Sequence, residues 1–104
     1  MSTPYDRTVY ERSVTRHDGA IVKQAIVDRR YFGPSGTFYR AANGSMYGAG
    51  ARHVLVRTTL PDGSTRDVRC PNIREALTWS VSDGCTAEPW RRVSRHYERA
   101  AVTP

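Results

Sequence analysis

The sequence predicts an α+β domain: an antiparallel β-meander of about five strands followed by two C-terminal helices packed on one face. Turn-forming residues recur at regular intervals, β-branched and aromatic residues fill the segments between them, and the hydrophobic spacing becomes helical after Cys70. The turns are His17-Asp18-Gly19, Gly33-Pro34-Ser35-Gly36, Asn43-Gly44 and Pro61-Asp62-Gly63. A chain of 104 residues suits a single small domain, with residues 1–6 and 102–104 expected to be loose termini.

The turns divide the first part of the chain into five predicted strands. These are Thr8–Arg16, Ala20–Phe32, Thr37–Ala42, Arg52–Leu60 and Ser64–Cys70. The last two form the clearest hairpin, because apolar residues alternate with polar ones on both sides of the Pro-Asp-Gly turn. The second segment also fits a helix that begins at Asp18, since Ile21, Val22, Ala25 and Ile26 would share one helical face. Its β-branched residues favour the strand.

Two helices are predicted after the strands. Pro71-Asn72 precedes apolar residues at helical spacing, from Ile73 to Val81, and Asp83-Gly84 ends that helix. The second helix begins near Pro89, which suits a first turn, and continues to about Ala101. Trp90, Val93 and Tyr97 would then form an apolar stripe against the sheet.

The charge predicts an anionic partner. The formal net charge is +6 and the isoelectric point is about 9.9, which favours nucleic acid or an acidic protein surface. Lys23 is the only lysine, so almost every positive charge is an arginine guanidinium, whose planar fork suits phosphate and carboxylate.

Metal, cofactor and membrane interpretations have little support in the sequence. Cys70 and Cys85 form no CxxC pair, so no metal site is expected, and no cofactor motif is present. The N-terminus lacks the apolar segment of a secretion signal, and no apolar run approaches the ~18 residues of a membrane span. We therefore expect a cytoplasmic protein with free thiols and no membrane partner. The sequence leaves open the oligomeric state and the alternative of a Cys70–Cys85 disulfide.

The first candidate binding site is the near-palindrome RRYFGPSGTFYR, from Arg29 to Arg40. A four-residue loop would place Tyr31 opposite Phe38 and Arg29 opposite Arg40 on one face. Two like charges directly opposite are unfavourable unless an anion lies between them. Arginines beside aromatic rings are also the groups that bind single-stranded nucleic acid. The alternative is a core hairpin with an acid of the protein, such as Asp28 or Glu11, near the arginines.

The second candidate site is the predicted C-terminal helix. Arg91, Arg95 and Arg99 are spaced four residues apart, with Arg92 beside them, and Glu98 is the only acid from Trp90 onward. Such a row is repulsive unless an anion follows it, so it could contact phosphates; the alternative is a solvated helix face.

Three functional hypotheses follow. The favoured one is a non-catalytic basic protein that binds nucleic acid through Arg29, Tyr31, Phe38, Arg40 and the four C-terminal arginines. The second is a small inhibitor or adaptor of the phage or plasmid type that docks on an acidic face of a host nuclease or defence complex. The third is a small ribonuclease that uses His53 or His17 as its acid and base. The sequence favours a protein that is not an enzyme.

Overall fold

The computed structural model describes residues 3–32, 38–40, 46–48, 52–93 and 95–100, which form mainly antiparallel β-sheet. In chain order the elements are β1 (Thr3–Thr15), β2 (Ile21–Phe32), β3 (Phe38–Arg40), β4 (Met46–Gly48), β5 (Arg52–Thr59), β6 (Thr65–Cys70), α1 (Ile73–Leu77), β7 (Thr86–Ala87), β8 (Arg91–Arg92) and β9 (Glu98–Arg99). The main sheet has the order β6-β5-β2-β1-β7 and curls into a half-barrel. Among the described residues, β3 and β4 pair only with each other.

Two predicted hairpins are confirmed. β1 and β2 are joined by a turn in which Gly19 has a φ of 85°, and β5 and β6 by a turn in which Gly63 has a φ of 88°. This left-handed conformation suits glycine, which has no Cβ to clash. In each turn an aspartate, Asp18 or Asp62, accepts a hydrogen bond from the backbone N–H two residues later. The second segment is a strand, so its helical alternative is wrong.

Strand alternation places side chains on two faces of the sheet. The face that carries Ile26 and Val56 is called the core face here, and the other is the opposite face. β1 shifts register between Thr8 and Tyr10. Because of this bulge, Arg7 before it and Tyr10 after it both lie on the core face.

The hydrophobic core lies on the core face, between the sheet and α1. Its buried members are Ile26, Val54, Val56, Cys70 and Ala76. Leu77 and Trp90 pack around this cluster, so the helix and the chain after it cover the sheet. Both cysteines are free thiols, and burial raises the pKa of Cys70.

The predicted pair of C-terminal helices is wrong, and so is the α+β class that depended on it. Instead of a helix over 90–101, the chain runs along the free edge of β1 and pairs with it through β7, β8 and β9. Backbone N–H groups of Glu88, Val93 and Ala100 donate to β1 carbonyls at 3.0–3.1 Å. β1 would otherwise expose a long edge of unpaired backbone groups, and satisfying that edge outweighs the marginal stability of one short helix.

The first predicted helix is present but ends early. α1 spans Ile73–Leu77, with Asn72 as its N-cap, and the backbone N–H of Thr78 closes it onto Glu75 at 3.2 Å. The residues that follow, Thr78 to Ser82, are β-branched, aromatic or serine, and all of these are middling helix formers. Asp83-Gly84 is therefore a turn outside the helix.

Candidate anion-binding surface

The four C-terminal arginines lie along the β1 edge of the sheet. Arg92 is opposite Tyr10, Arg91 is opposite Glu11, and Arg99 is opposite Tyr5. All four are exposed, with 75% of the Arg91 side chain and 59% of the Arg95 side chain accessible to solvent. The predicted helical row is wrong, but the same residues share one edge of the sheet.

Glu11 provides the counter-charge for two of these arginines. Its carboxylate accepts a hydrogen bond from Arg95 Nη2 at 2.8 Å and a longer one from Arg91 Nη2 at 3.5 Å. Within the part of the chain that the structure describes, Arg92 and Arg99 form no ion pair. The four guanidinium groups outnumber the two acids at this edge, Glu11 and the exposed Glu98, so the surface stays positive.

An adjoining cavity, called the arginine cleft here, has a volume of about 260 Å³ and carries three arginines on its wall. These are Arg7, Arg92 and Arg95, alongside Val9, Tyr10, Ile73 and Val93. No acidic residue is among these lining residues. Arg7 Nε is buried and has no hydrogen-bond partner in the described residues. The cleft thus carries three guanidinium groups and no lining carboxylate, which suits an anionic group.

Arg29 lies on the opposite face, away from the arginine cleft. Its guanidinium donates two hydrogen bonds to Asp6, from Nε at 2.7 Å and from Nη2 at 3.0 Å. The Asp6 hydrogen bond raises the pKa of Arg29. Tyr31 lies on the same face and makes an edge contact with the His53 ring, with 5.0 Å between ring centroids. Arg29 is therefore already neutralised by an acid of the protein.

The predicted pairing of Arg29 with Arg40 is wrong. β2 pairs with β1 and β5, so Arg29 is opposite Asp6 and His53, whereas Arg40 is opposite Met46 in the β3–β4 hairpin. The side chains of Phe38 and Arg40 are outside what the structure describes. The Gly-Pro-Ser-Gly turn is also outside the described residues.

A buried acid surrounded by arginines was missed by the sequence reasoning. Asp28 is fully buried, and its carboxylate accepts hydrogen bonds from Arg52 Nε at 2.7 Å and Tyr97 Oη at 2.6 Å. Arg7 Nη2 is 3.4 Å away and Arg30 Nε is 3.9 Å away. One carboxylate thus holds three partly exposed guanidinium groups, and we call this group the Asp28 cluster.

The Asp28 cluster follows from the register of the sheet. Arg7 is directly opposite Asp28 on β1, while Arg30 follows Asp28 on the same face of β2 and is itself opposite Arg52 of β5. Two like charges do face each other across a strand pair, as expected for Arg29 and Arg40, but the residues are Arg30 and Arg52. The intervening acid is Asp28, one of the two acids considered for that role.

Tyr97 connects the Asp28 cluster to the C-terminal segment. Its hydroxyl accepts a hydrogen bond from Arg30 Nε at 2.9 Å, and the Arg7 guanidinium lies over its ring at 4.9 Å from the centroid. Burial and the Asp28 hydrogen bond raise the pKa of Tyr97. Asp28 had one sequence signal: it follows Val22, Gln24 and Ile26 at two-residue spacing, on the apolar side of the strand.

His53, a predicted ribonuclease residue, lies on the opposite face. Burial lowers its pKa, and the positive charges of Arg69 and Arg29 lower it further. His17, the other predicted acid or base, is exposed in the turn between β1 and β2. The two histidines lie at opposite ends of β2, because His53 is opposite Arg29 and His17 precedes Ile21.

Comparison of the chain with known protein families, with curated proteins and with solved structures finds no match. Among the described residues, no helix has both the length and the apolar character needed to cross a membrane. The same residues contain no group of three or more histidine, cysteine, aspartate or glutamate side chains arranged to hold a metal ion.

Proposed function

We propose that this protein is a non-catalytic nucleic-acid-binding protein that contacts phosphates through its C-terminal arginines. The observation that carries the proposal is the charge of the β1 edge. Arg91 and Arg95 contact the Glu11 carboxylate, Arg92 and Arg99 form no ion pair within the described residues, and the adjoining arginine cleft has no acidic residue among those that line it. Arginine forks bind phosphate oxygens well, and their exposure keeps the cost of desolvation low.

The spacing of these arginines matches an extended phosphate backbone. Arg92 and Arg99 are opposite Tyr10 and Tyr5 of β1, so about five strand residues, or roughly 16 Å, separate their positions. One strand of duplex DNA carries a charge every ~3.4 Å of its axis, so this row spans the axial rise of about five phosphates. Contacts of this kind fix position without reading the sequence.

The Asp28 cluster fixes the geometry of the anion-binding surface. Arg7 lines the arginine cleft while its Nη2 is held by Asp28 and its guanidinium lies over Tyr97. Tyr97 belongs to the same segment as the C-terminal arginines and is buried. Because Tyr97 anchors that segment, the exposed arginines project from a fixed backbone, which lowers the entropy lost on binding.

Fluorescence anisotropy with labelled 20-mers of duplex DNA, single-stranded DNA and single-stranded RNA, each at two salt concentrations, tests the proposal. We expect at least one nucleic acid to bind at low salt, with affinity that falls as salt rises. The RNA should remain intact after prolonged incubation, because the protein is proposed to be non-catalytic. Absence of binding to all three probes at low salt would contradict the proposal.

Docking on an acidic protein face, as an inhibitor or adaptor of the phage or plasmid type would do, is the second candidate function. It is favoured by Glu11, because Arg91 and Arg95 already bind a carboxylate on this surface. Capture from host lysate with and without nuclease distinguishes the two candidates. A partner lost after nuclease treatment supports nucleic-acid binding, and one that persists but is lost in Arg92→Glu supports protein docking.

A further inference from the structure

A second surface, separate from the arginine cleft, has the chemistry of a peptide-binding groove. A cavity of about 460 Å³ lies on the core face of the main sheet, across the strands from β1 to β6, and is bounded on its other side by the chain after α1. Its wall is largely apolar, and we call it the Trp79 groove. The apolar lining residues are Val14, Val22, Leu60, Val68, Trp79 and Val81.

Two of these apolar residues are unusually exposed. Val68 has 42% of its surface accessible to solvent and Trp79 has 36%, whereas Val14 and Val22 are buried. The backbone of Trp79 is held in place because its carbonyl accepts a hydrogen bond from Arg12 Nη2 at 2.9 Å. The groove therefore has a buried aliphatic floor and an exposed apolar rim, an arrangement typical of an interaction site.

The charge of the groove indicates the charge of its partner. Arg16 and Arg66 are among its lining residues, and no acidic residue is. Within the described residues, neither arginine forms an ion pair. An occupant that places an apolar side chain beside Val68 and a carboxylate beside Arg66 would satisfy both features.

The β6 strand also offers hydrogen bonds to such an occupant. β6 is the last strand of the main sheet, and in the described residues it pairs only with β5. Its first five residues are exposed. Arg66, Val68 and Cys70 face the groove side, because they are opposite Thr58, Val56 and Val54 of the core face.

We propose that the Trp79 groove and the β6 edge bind an extended, acidic and apolar segment of a partner protein by adding it as a strand. The occupant would pair with the free backbone groups of β6, as in known strand-addition complexes. On the groove side, an apolar residue of the occupant would lie opposite Val68, and a glutamate or aspartate would lie opposite Arg66. The proposal does not depend on nucleic-acid binding by the C-terminal arginines.

A register-matched peptide tests this proposal directly. The probe is the blocked peptide Gly-Val-Thr-Ile-Thr-Glu-Thr-Gly, which in antiparallel pairing places isoleucine opposite Val68 and glutamate opposite Arg66. A matched peptide has lysine in place of glutamate. Titration into ¹⁵N-labelled protein should shift the Trp79 indole and β6 amide signals with the glutamate peptide, and bind the lysine peptide at least tenfold more weakly.

Variants on the two faces of β6 provide the controls. Arg66→Glu should reverse the preference, so that the lysine peptide binds at least tenfold better than the glutamate peptide. Arg69→Glu, on the opposite face of the same strand, should change the affinity for either peptide by less than twofold. Both residues are exposed, so both variants should keep the wild-type melting temperature.

Three results would overturn the proposal. One is the absence of signal shifts at Val68 and Trp79 with the glutamate peptide. Another is equal loss of affinity in Arg66→Glu and Arg69→Glu, which would indicate general electrostatic attraction. The third is occupancy of the groove by a different ligand. A second copy of the chain would shift the Val68 and Trp79 signals as the protein concentration rises, and single-stranded DNA would displace the peptide.

Discussion

At the residue scale, one carboxylate organises the polar end of the core face. Asp28 is fully buried and interacts with three arginines and Tyr97. The chain as a whole has a net charge of +6. Its position on the apolar side of β2 was visible in the sequence, but its partners were not. They come from β1, β5 and the C-terminal segment, and only the register brings them together.

Replacement of Asp28 by asparagine should strongly destabilise the fold. The variant keeps the size of the side chain but leaves Arg7 and Arg52 without their counter-charge. Loss of one partner of a buried ion pair costs ~3–5 kcal/mol, and we expect the lower end because these arginines are partly exposed. Urea denaturation measures the free energy of unfolding.

Asp67→Asn is the matched control for this experiment. Asp67 is 30% exposed and pairs only with Arg57 in the described residues, so its loss should cost less than ~1 kcal/mol. Equal decreases in the free energy of unfolding of the Asp28 and Asp67 variants would show that the buried cluster has no special role in stability.

Tyr97 should make the fold sensitive to alkaline pH. Burial and the Asp28 hydrogen bond raise the pKa of Tyr97 in the folded state, whereas the unfolded chain titrates near ~10. The contribution of Tyr97 to the free energy of unfolding is complete below pH ~10. It falls as the pH rises above that value, because the unfolded state loses its proton first.

Tyr97→Phe isolates this effect. At neutral pH the variant should be about 1–3 kcal/mol less stable, because Asp28 and Arg30 lose a hydrogen-bond partner. The difference between wild type and variant should then narrow as the pH rises above ~10. Thermal unfolding followed by circular dichroism from pH 7 to 11 measures this gap, and a constant or widening gap contradicts the assignment.

At the element scale, the strands were predictable and the C-terminal elements were not. The turns at Gly19 and Gly63 and the alternation around Val54 and Val56 are local signals, and they identified the β1–β2 and β5–β6 hairpins. β4 was not predicted, and β3 pairs with β4 and not with β2 as a meander requires. The segment from Trp90 has apolar residues at helical spacing, yet its backbone bonds go to β1. The need to cover the β1 edge is a property of the sheet, so no local pattern could reveal it.

The candidate site was predictable to a similar extent. Composition identified the C-terminal arginines, and the structure places them together on one edge. Sequence symmetry suggested a pairing of Arg29 with Arg40 that the strand order does not allow, since β2 pairs with β5. The contribution of Arg7 to the arginine cleft depends on the bulge in β1, which the sequence does not mark.

Asn72 should contribute measurably to the short helix. Its side-chain oxygen accepts a hydrogen bond from the backbone N–H of Glu75 at 2.9 Å, and α1 covers the core through buried Ala76. Asn72→Ala should lower the free energy of unfolding by ~0.5–2 kcal/mol, and amide exchange at Glu75 should be faster. Asn72→Asp retains the acceptor and should stay close to wild type. An alanine variant as stable as wild type would contradict the capping role.

At the scale of the whole molecule, charge is distributed unevenly over the sheet. Asp6 and Asp67 pair with arginines on the opposite face, and Asp28 holds the arginines of the core face. At the β1 edge, Arg91 and Arg95 contact Glu11, and the exposed Glu98 of β9 precedes Arg99, so four arginines outnumber two acids there. Under the proposed function, this exposed excess of positive charge raises the association rate with a polyanion as well as its affinity.

The salt dependence of nucleic-acid binding in two charge-matched double variants tests this account most directly. Arg92→Ala/Arg99→Ala removes two arginines from the β1 edge, and Arg69→Ala/Arg74→Ala removes two exposed arginines from elsewhere. With the probe that binds wild type best, the slope of log K against log salt should become shallower in the first variant alone. The expected change for two lost contacts is about 1.8 on duplex DNA, at ~0.9 per contact, and about 1.4 on a single strand, at ~0.7 per contact. An equal change of slope in both variants, or no change in the first, would contradict the account.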